Sequence, residues 1–431
     1  MIKGRRGPGR CGGPIAARGK VALAKILFLA HRVPFPPNKG DKIRAFNELE
    51  HLARHHQIWL GAGADDTDDL KHLKDCRTRF CDAYFGMVKP VQTLVNLAGA
   101  ALGGAPLSVA RFYHPGLARW CADVLARVEP DLVFVFSSAA AQFVLSRMRG
   151  RTHLLTDFVD ADAEKWRAYA QTSRSLARWL YDAEFRRLVR YDAKVAAASA
   201  ASLFVSQTER EIFTRLIPEV ASSAHVVPNG VDTVFFRPDE ALGRPLHGSI
   251  VFTGTMDYRP NIEAVGWFAR EVLPLVRQSI PGAHFRIVGA KPAPAVQALS
   301  TIEGVEVIGA VPDVRPYVQQ AEVVVAPLRI ARGIQNKVLE GMAMARPIVT
   351  TPEALDGICA RPGQDVLVAQ GPADFAAKVV AVLERRAPER LGVNARAAVI
   401  AHHGWGHHLE ELDGIIAKIM HVSGKTPADE G

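Results

Sequence analysis

Residues 323–351 constrain the fold more than any other part of the chain, because VVVAPLRIARGIQNKVLEGMAMARPIVTT reads as strand, loop, helix and strand. The β-branched run at 323–325 predicts a buried parallel strand, and Pro347 separates the helix from a second strand. A helix that begins beyond the carboxyl end of a parallel strand presents unpaired N–H groups, which favour phosphate. Lys337 in its first turn adds positive charge. Glu340, one turn later, can accept hydrogen bonds from a pair of hydroxyl groups.

Two earlier segments have the same order of strand, glycine-containing loop and helix. A strand at 21–30 leads to a loop with Gly40, and a strand at 249–255, which includes Gly254, leads through a loop at 256–261 to a helix that ends at Val272. Each crossover can bind an anion at the helix N-terminus. Because strands and helices alternate in two successive runs, the sequence predicts an α/β protein with two Rossmann-like domains.

These segments resemble the retaining, nucleotide-sugar-dependent glycosyltransferases of family 4, which have two facing Rossmann-like domains (the GT-B fold). The resemblance covers residues 21–422. It implies a cleft between the domains and a C-terminal helix that crosses back to the first domain. Within the family, the chain looks like the sugar transferases of exopolysaccharide gene clusters associated with PEP-CTERM and exosortase protein sorting. The segments that carry the resemblance are PPNKGDK, PNGVD, TGTMDYRPN and RGIQNKVLEGMAMARP.

The resemblance assigns roles to individual residues. The family signature has two glutamates separated by seven residues, and Glu340 matches the second, which implies contact with the nucleotide ribose. Arg332 stands where the first glutamate is expected, so the role of that acid near the donor sugar is not carried over. Gly40 matches a glycine that faces the cleft. The implied donor-binding residues are Gly254, Arg259, Gly333, Lys337 and Glu340.

Asp160 and Arg332 are the candidate catalytic residues. Asp160 and Asp162 follow a predicted strand and resemble the Asp-x-Asp metal motif of the other glycosyltransferase fold, but capping of the next helix is an alternative explanation. Family members carry a cleft-facing residue near this strand end, and Asp157 or Asp160 is the nearest candidate. No cofactor and no obligatory metal are expected, because helix N-termini and cationic side chains would stabilise the leaving diphosphate.

Charge and cysteine content limit the partners and the compartment. The net charge of +9 favours anionic partners such as nucleotide diphosphates or an acidic membrane surface. Nucleic acid is not expected, because no basic run with interleaved aromatic residues occurs. The five cysteines include no CxxC pair, which favours a reducing cytoplasm. No apolar run reaches the roughly 18 residues of a membrane-spanning helix.

Three further structural expectations follow from local patterns. Gly61 and Gly63 lack the third glycine of a dinucleotide-binding fingerprint, so we predict a turn there. Residues 166–198 are predicted to be one long helix with many arginines and aromatic residues. That helix could lie on an anionic membrane, as a peripheral contact at the inner face, or cover the sheet with its apolar stripe.

The predicted organisation follows from these boundaries. We expect a disordered leader at 1–20, an acceptor-side domain at 21–235, a linker at 236–248, a donor domain at 249–402, a crossing helix at 403–422 and a tail at 423–431.

The resemblance implies transfer of a sugar, with retention, from a nucleotide diphosphate sugar to a saccharide or a lipid-linked saccharide. Two alternatives stay open, a nucleotide-sugar epimerase of the same fold and a non-catalytic nucleotide-sugar-binding subunit.

Overall fold

The computed structural model describes residues 23–37, 40–87, 89–148, 150–173, 176–330 and 333–422. The chain forms two compact units. Unit 1 consists of Met1–Val227 and Leu409–Gly431, and unit 2 consists of Pro228–His408. Each unit contains one parallel β-sheet with helices, so the predicted pair of Rossmann-like α/β domains is confirmed.

Unit 1 contains a seven-stranded sheet in the order β3-β2-β1-β4-β5-β6-β7. Its strands are β1 (Lys25–Ala30), β2 (Gln57–Ala64), β3 (Asp82–Met87), β4 (Leu132–Phe136), β5 (His153–Val159), β6 (Ala201–Phe204) and β7 (Ala224–Val226). Its helices are α1 (Gly40–Ala53), α2 (Thr67–Lys71), α3 (Leu73–Arg79), α4 (Pro90–Gly103), α5 (Leu107–Ala110), α6 (Pro115–Val128), α7 (Asp162–Thr172), α8 (Leu176–Ala198) and α9 (Gln207–Leu216).

Unit 2 contains a six-stranded sheet in the order β10-β9-β8-β11-β12-β13. Its strands are β8 (Ser249–Thr253), β9 (His284–Val288), β10 (Val305–Gly309), β11 (Val323–Ala326), β12 (Ile348–Thr350) and β13 (Leu367–Val368). Its helices are α10 (Arg259–Trp267), α11 (Leu273–Ser279), α12 (Pro294–Gln297), α13 (Arg315–Gln320), α14 (Asn336–Ala343), α15 (Pro352–Leu355), α16 (Gly371–Leu383) and α17 (Leu391–His402), and a π-helical turn joins α10 to α11.

The last helix, α18 (Trp405–Val422), is divided between the units, with residues from Leu409 onward in unit 1. Within unit 1, His51 and Asp413 lie 2.8 Å apart. Within unit 2, a Cβ on Gly230 would lie 2.7 Å from the backbone nitrogen of Trp405. The PNGVD turn therefore packs directly against the start of α18.

All strands run parallel, and the central ones are buried apolar runs. Every residue of β4 and of β11 is buried, as expected for strands covered on both faces. The strand order reverses between β1 and β4 in unit 1 and between β8 and β11 in unit 2. At such a reversal the following helices leave on opposite faces, which opens a crevice beyond the strand ends where ligands bind.

The turn predicted at Gly61 and Gly63 is wrong, because both residues lie within β2. A Cβ on Gly61 would lie 2.7 Å from Leu29 Cδ2, and a Cβ on Gly63 would lie 2.5 Å from the carbonyl oxygen of His31. These glycines permit close packing on β1 and the residue that follows it, and neither is required for chain reversal.

The single helix predicted at 166–198 is also wrong. The structure has two helices, α7 and α8, which pack against each other, and Ser173 caps the end of α7 in an extended conformation. Among the described helices, none combines the length and the apolar character needed to cross a bilayer.

Candidate functional site

The candidate site lies at the strand reversal of unit 2, where the loop after β8 faces the helix that follows β11. Gly254, directly after β8, has φ +155°, a conformation that side-chain-bearing residues rarely adopt. A Cβ on the neighbouring Gly289 would lie only 1.6 Å from the carbonyl oxygen of Gly254. The ends of β8 and β9 therefore require glycine at both positions.

Asn261 from α10 and Lys337 from α14 meet at Gly254. A Cβ on Gly254 would lie 2.8 Å from Asn261 Nδ2 and 3.5 Å from Lys337 Cε. Asn261 is 3% exposed, and its Nδ2 donates to the carbonyl oxygen of Thr255 at 2.8 Å. Its Oδ1 is buried and has no hydrogen-bond partner among the described residues. A buried acceptor without a donor costs free energy, and a bound hydroxyl group would satisfy it.

Lys337 is held in the first turn of α14 by weak contacts. Its Nζ lies 3.3 Å from Gln335 Oε1 and 5.2 Å from the ring centroid of Phe252, a residue of β8. Burial lowers the pKa of Lys337 to about 8, and the charge of Glu340 partly offsets that effect. A bound anion would restore the stabilisation that the ammonium group loses on leaving water.

Glu340 lies one turn further along α14. Burial raises the pKa of Glu340 to about 7, and Lys337 opposes the shift. Its carboxylate accepts no hydrogen bond from the described residues, so it can accept hydrogen bonds from a ligand. Lys337 and Glu340 are neighbours on one helix face, as expected for residues three apart.

At the N-terminus of α14, no described side chain forms a capping hydrogen bond. Gln335 occupies the N-cap position without a capping hydrogen bond, and Asn336 Oδ1 is buried without a partner among the described residues. The first N–H groups of a helix lack intrahelical acceptors, and the helix dipole makes this end positive. Gly333 has φ +66°, and a Cβ placed on it would meet no atom within 4 Å. The backbone conformation therefore favours glycine here, whereas space does not.

Arg259 is the first residue of α10, whereas the sequence predicts a loop there, and its side chain is 85% exposed and pairs with Glu263 at 2.8 Å. The buried side chain that this segment directs to Gly254 is Asn261. Sequence reasoning assigned no role to Asn261 or to Phe252. In the sequence, Asn261 stands out only by its position in the loop after Gly254, and this position does not reveal where its side chain points.

In unit 1, Asp157 is fully buried and accepts from Arg44 Nε at 2.6 Å, which gives it a structural role. Asp160 is 36% exposed and lies 3.2 Å from Lys165, which also pairs with Asp162 at 2.6 Å. The N-cap of α7 is Ala161, without a side-chain bond, so capping by Asp160 or Asp162 does not occur.

Gly40 and Arg332 are the remaining predicted site residues. Gly40 is the first residue of α1, and no atom lies within 4 Å of a Cβ placed on it, so the structure gives no steric reason for glycine there. Arg332 lies outside the described residues. Among the side chains that the structure describes, no group of three or more His, Cys, Asp or Glu residues could hold a metal ion.

A comparison with protein families matches the part of the chain that contains this site. Residues 247–385 match the family described as Glycosyl transferases group 1. The matched range lies within unit 2. The match includes β8, β11 and α14, and hence every residue of the Gly254–Lys337–Glu340 site. A comparison with curated protein sequences found no significant match.

Solved structures match the chain over nearly its whole length. Anabaena HepE, crystallised with UDP and glucose, is 12% identical with a TM-score of 0.64 and covers 92% of this chain and 100% of that chain. Sucrose-phosphate synthase from Thermosynechococcus elongatus is 16% identical with a TM-score of 0.64. The match covers 93% of this chain and 100% of that chain.

A point mutant of S. aureus TarM, in complex with fondaparinux, α-GlcNAc-glycerol and UDP, is 10% identical with a TM-score of 0.63. The match covers 91% of this chain and 99% of that chain. At these identities the similarities establish the fold, which is that of the GT-B glycosyltransferases.

Proposed function

We propose that this protein is a glycosyltransferase that moves a hexose from a nucleotide diphosphate sugar to a hydroxyl acceptor with retention of configuration. The observation that carries the proposal is the convergence of Gly254, Asn261 and Lys337 at the strand reversal of unit 2, within the range that matches the group 1 family, with Glu340 one turn further along α14. The site combines a positive helix end, a partly desolvated ammonium group and a carboxylate that accepts no hydrogen bond from the described residues, which suit a diphosphate next to a ribose.

In this proposal the diphosphate binds at the N-terminus of α14 and against the backbone after Gly254. Lys337 stabilises the negative charge that develops on the leaving diphosphate as the bond to the sugar breaks. Its lowered pKa reflects a desolvated site in which such an electrostatic interaction is strong. Glu340 accepts hydrogen bonds from the ribose hydroxyls and fixes the nucleotide relative to Lys337.

The finer parts of the proposal rest on the sequence resemblance. The PNGVD and RGIQNKVLEGMAMARP segments support family 4, retention and a role in exopolysaccharide synthesis in a PEP-CTERM system. The acceptor is then a saccharide or a lipid-linked saccharide, and the protein acts in the cytoplasm. Asp160 in unit 1 and Arg332 remain the candidate catalytic residues. No metal is obligatory, so turnover should persist in EDTA.

Thermal shift with a panel of nucleotide diphosphate sugars tests the proposal, because a ligand that binds only the folded state raises the melting temperature. We expect Lys337→Met to weaken binding at least about tenfold, through loss of the charge that faces the diphosphate. Lys378→Met, which removes an ion-paired lysine of α16, is the matched control. Equal binding by parent and Lys337→Met would contradict the assigned site.

Product analysis separates glycosyl transfer from the alternatives. Incubation with the donor and a saccharide acceptor should give a glycoside whose anomeric configuration, read by NMR, matches that of the donor. Formation of an epimeric nucleotide sugar without acceptor would instead identify an epimerase. Binding without any product would identify a non-catalytic subunit.

A further inference from the structure

Helix α4 presents an apolar face to solvent. Val91, Leu94, Val95 and Leu102 are 72%, 69%, 61% and 92% exposed, and with Ala98 they recur at the three- and four-residue spacing of one helix face. Residues 90–110 contain no charged side chain. A contiguous apolar surface of this kind on a folded domain marks an interaction site.

Two polar side chains of α4, those of Gln92 and Asn96, lie on the side of the helix that faces the protein. Asn96 Nδ2 donates to the carbonyl oxygen of Tyr113 at 2.8 Å, and Gln92 Nε2 donates to Asn96 Oδ1 at 2.8 Å. Ala100 is buried on the same side. The usual arrangement of a surface helix is therefore reversed, with polar groups inward and apolar groups outward.

A basic surface adjoins the C-terminal end of α4. Arg187 Nη2 lies 3.4 Å from the carbonyl oxygen of Ala101, next to Leu102. The surface includes Trp179 and Leu180, which are 64% and 49% exposed. A shallow cavity of about 170 Å³ on α8 is lined by Trp179, Asp182, Ala183, Arg186, Arg187 and Arg190. This lining holds three arginines against one aspartate and suits a phosphate group.

We propose that α4 and the first half of α8 dock unit 1 on an anionic lipid bilayer. Val91, Leu94, Val95 and Leu102 enter the boundary between headgroups and acyl chains, and the arginines of α8 contact lipid phosphates. With 14 residues, α4 is about 21 Å long, shorter than the roughly 30 Å hydrocarbon core, so it lies along the interface.

Charge favours a bilayer over a second copy of the chain as the occupant. A two-fold dimer through α4 would bury the same patch of each copy, and the arginines beside the C-terminal end of α4 would approach one another when the axis passes near that end. Like charges across an interface oppose association, whereas anionic headgroups complement them. The proposal does not depend on the donor site, which lies in unit 2.

Flotation of the full chain with phosphatidylcholine vesicles, with and without phosphatidylglycerol, tests the docking surface. We expect binding that requires phosphatidylglycerol and weakens as salt rises. Leu94→Gln with Val95→Gln should weaken binding at least about tenfold, since two apolar anchors are lost. Val393→Gln with Ile400→Gln, at positions of α17 that are 56% and 50% exposed, is the matched control and should bind as the parent does.

A second pair of variants tests the basic part of the surface. Arg186 and Arg127 are both exposed helix arginines, 64% and 62%, and each pairs with an aspartate four residues earlier. Arg186→Gln should lower vesicle affinity about fivefold and reduce its salt dependence, because about one headgroup contact is lost. Arg127→Gln on α6 should leave both unchanged.

Three outcomes would overturn the proposal. One is absence of binding to anionic vesicles, and another is equal binding by parent and the Leu94→Gln, Val95→Gln variant. The third is a parent protein that is a dimer in solution and that the Leu94→Gln, Val95→Gln substitutions convert to a monomer without changing vesicle binding. That result would show that the apolar face of α4 contacts a second copy of the chain. Circular dichroism and nucleotide binding should be unchanged in the variants. Unchanged values would show that the variants fold and that a loss of vesicle binding does not come from a damaged donor site.

Discussion

At the residue scale, the donor site depends on two ionisable groups held one turn apart on α14. Burial lowers the pKa of Lys337 to about 8 and raises the pKa of Glu340 to about 7, so each group loses part of its charge near neutral pH. A diphosphate and a ribose would compensate both losses. Burial of these two groups therefore lowers the stability of the free protein and favours the binding of a nucleotide.

The first prediction concerns pH and Glu340. Between about pH 4.5 and 7 the folded protein keeps a proton that the unfolded chain releases, so the free energy of unfolding falls as pH rises through this window. Glu340→Gln should remove that fall, which we expect to be about 1–2 kcal/mol for a half-buried side chain. Urea unfolding at pH 5 and pH 7.5 measures it. Glu353→Gln, an exposed position in the same unit, should keep the slope of the parent.

The second prediction concerns Gly254. Gly254→Ala should destabilise unit 2 by about 2 kcal/mol and weaken nucleotide binding, because φ +155° strains the backbone and the new Cβ approaches Asn261. Gly282→Ala is the control, since its Cβ would meet no atom within 4 Å. Thermal unfolding with and without UDP compares them. Parent-like stability in Gly254→Ala would show that the loop after β8 relaxes at no cost.

The third prediction compares Asp160 with Asp162. Both carboxylates pair with Lys165, so loss of either has a similar effect on that lysine. If Asp160 acts in catalysis, Asp160→Asn should lower kcat at least about tenfold and Asp162→Asn should not. Equal and small losses of kcat in both variants would show that Asp160 serves only as a surface ion-pair partner of Lys165.

At the scale of secondary-structure elements, buried polar contacts join segments that are distant in sequence. Arg44 of α1 is fully buried, donates to Asp157 at the end of β5 and to the carbonyl oxygen of Val227 at 2.8 Å, and lies 3.2 Å from Glu48. This network ties the first helix to the sheet and to the last residue before unit 2. Asp157 is thereby committed to holding the fold.

The fourth prediction tests that network. Arg44→Met should destabilise unit 1 by about 3–5 kcal/mol, because two carboxylates stay buried without their cation. Arg127→Met removes an exposed arginine and should cost under about 1 kcal/mol. Denaturant unfolding measures both, and similar values for the two variants would show that water replaces Arg44.

At the scale of the whole molecule, one chain builds two Rossmann-like units and then returns to the first. Leu412, Ile416 and Ile419 of α18 are 0%, 3% and 8% exposed, and all belong to unit 1. The whole of unit 2 lies between this helix and the rest of unit 1 along the chain, so local sequence preference cannot place it. The apolar side chains of α18 provide the free energy that keeps it there.

The fifth prediction is that Leu412→Ala destabilises unit 1 by about 2–5 kcal/mol and leaves nucleotide affinity unchanged, since every donor-site residue lies in unit 2. Lys418→Ala, at an exposed position of the same helix, is the control. Urea unfolding together with UDP titration separates the two effects. A loss of affinity in Leu412→Ala would link α18 to the donor site.

The sequence by itself determined the elements that periodicity and turn chemistry specify. The apolar run at 323–325 and the helix formers after Asn336 predict β11 and α14 within two residues, because burial on both strand faces leaves only apolar residues in the strand. It also placed Lys337 and Glu340 on one helix face, since residues three apart on a helix are neighbours wherever the helix packs.

Only the tertiary structure decided which distant residues meet. It brought Asn261 to Gly254, buried Asp157 against Arg44, exposed Arg259 and turned the apolar face of α4 outward. It also showed that Gly63 serves packing, because the atom it must avoid, the carbonyl oxygen of His31, lies just beyond the end of another strand. Local sequence carries preferences for backbone conformation and for burial, whereas the direction of a side chain depends on the packing of elements that are far apart in the chain.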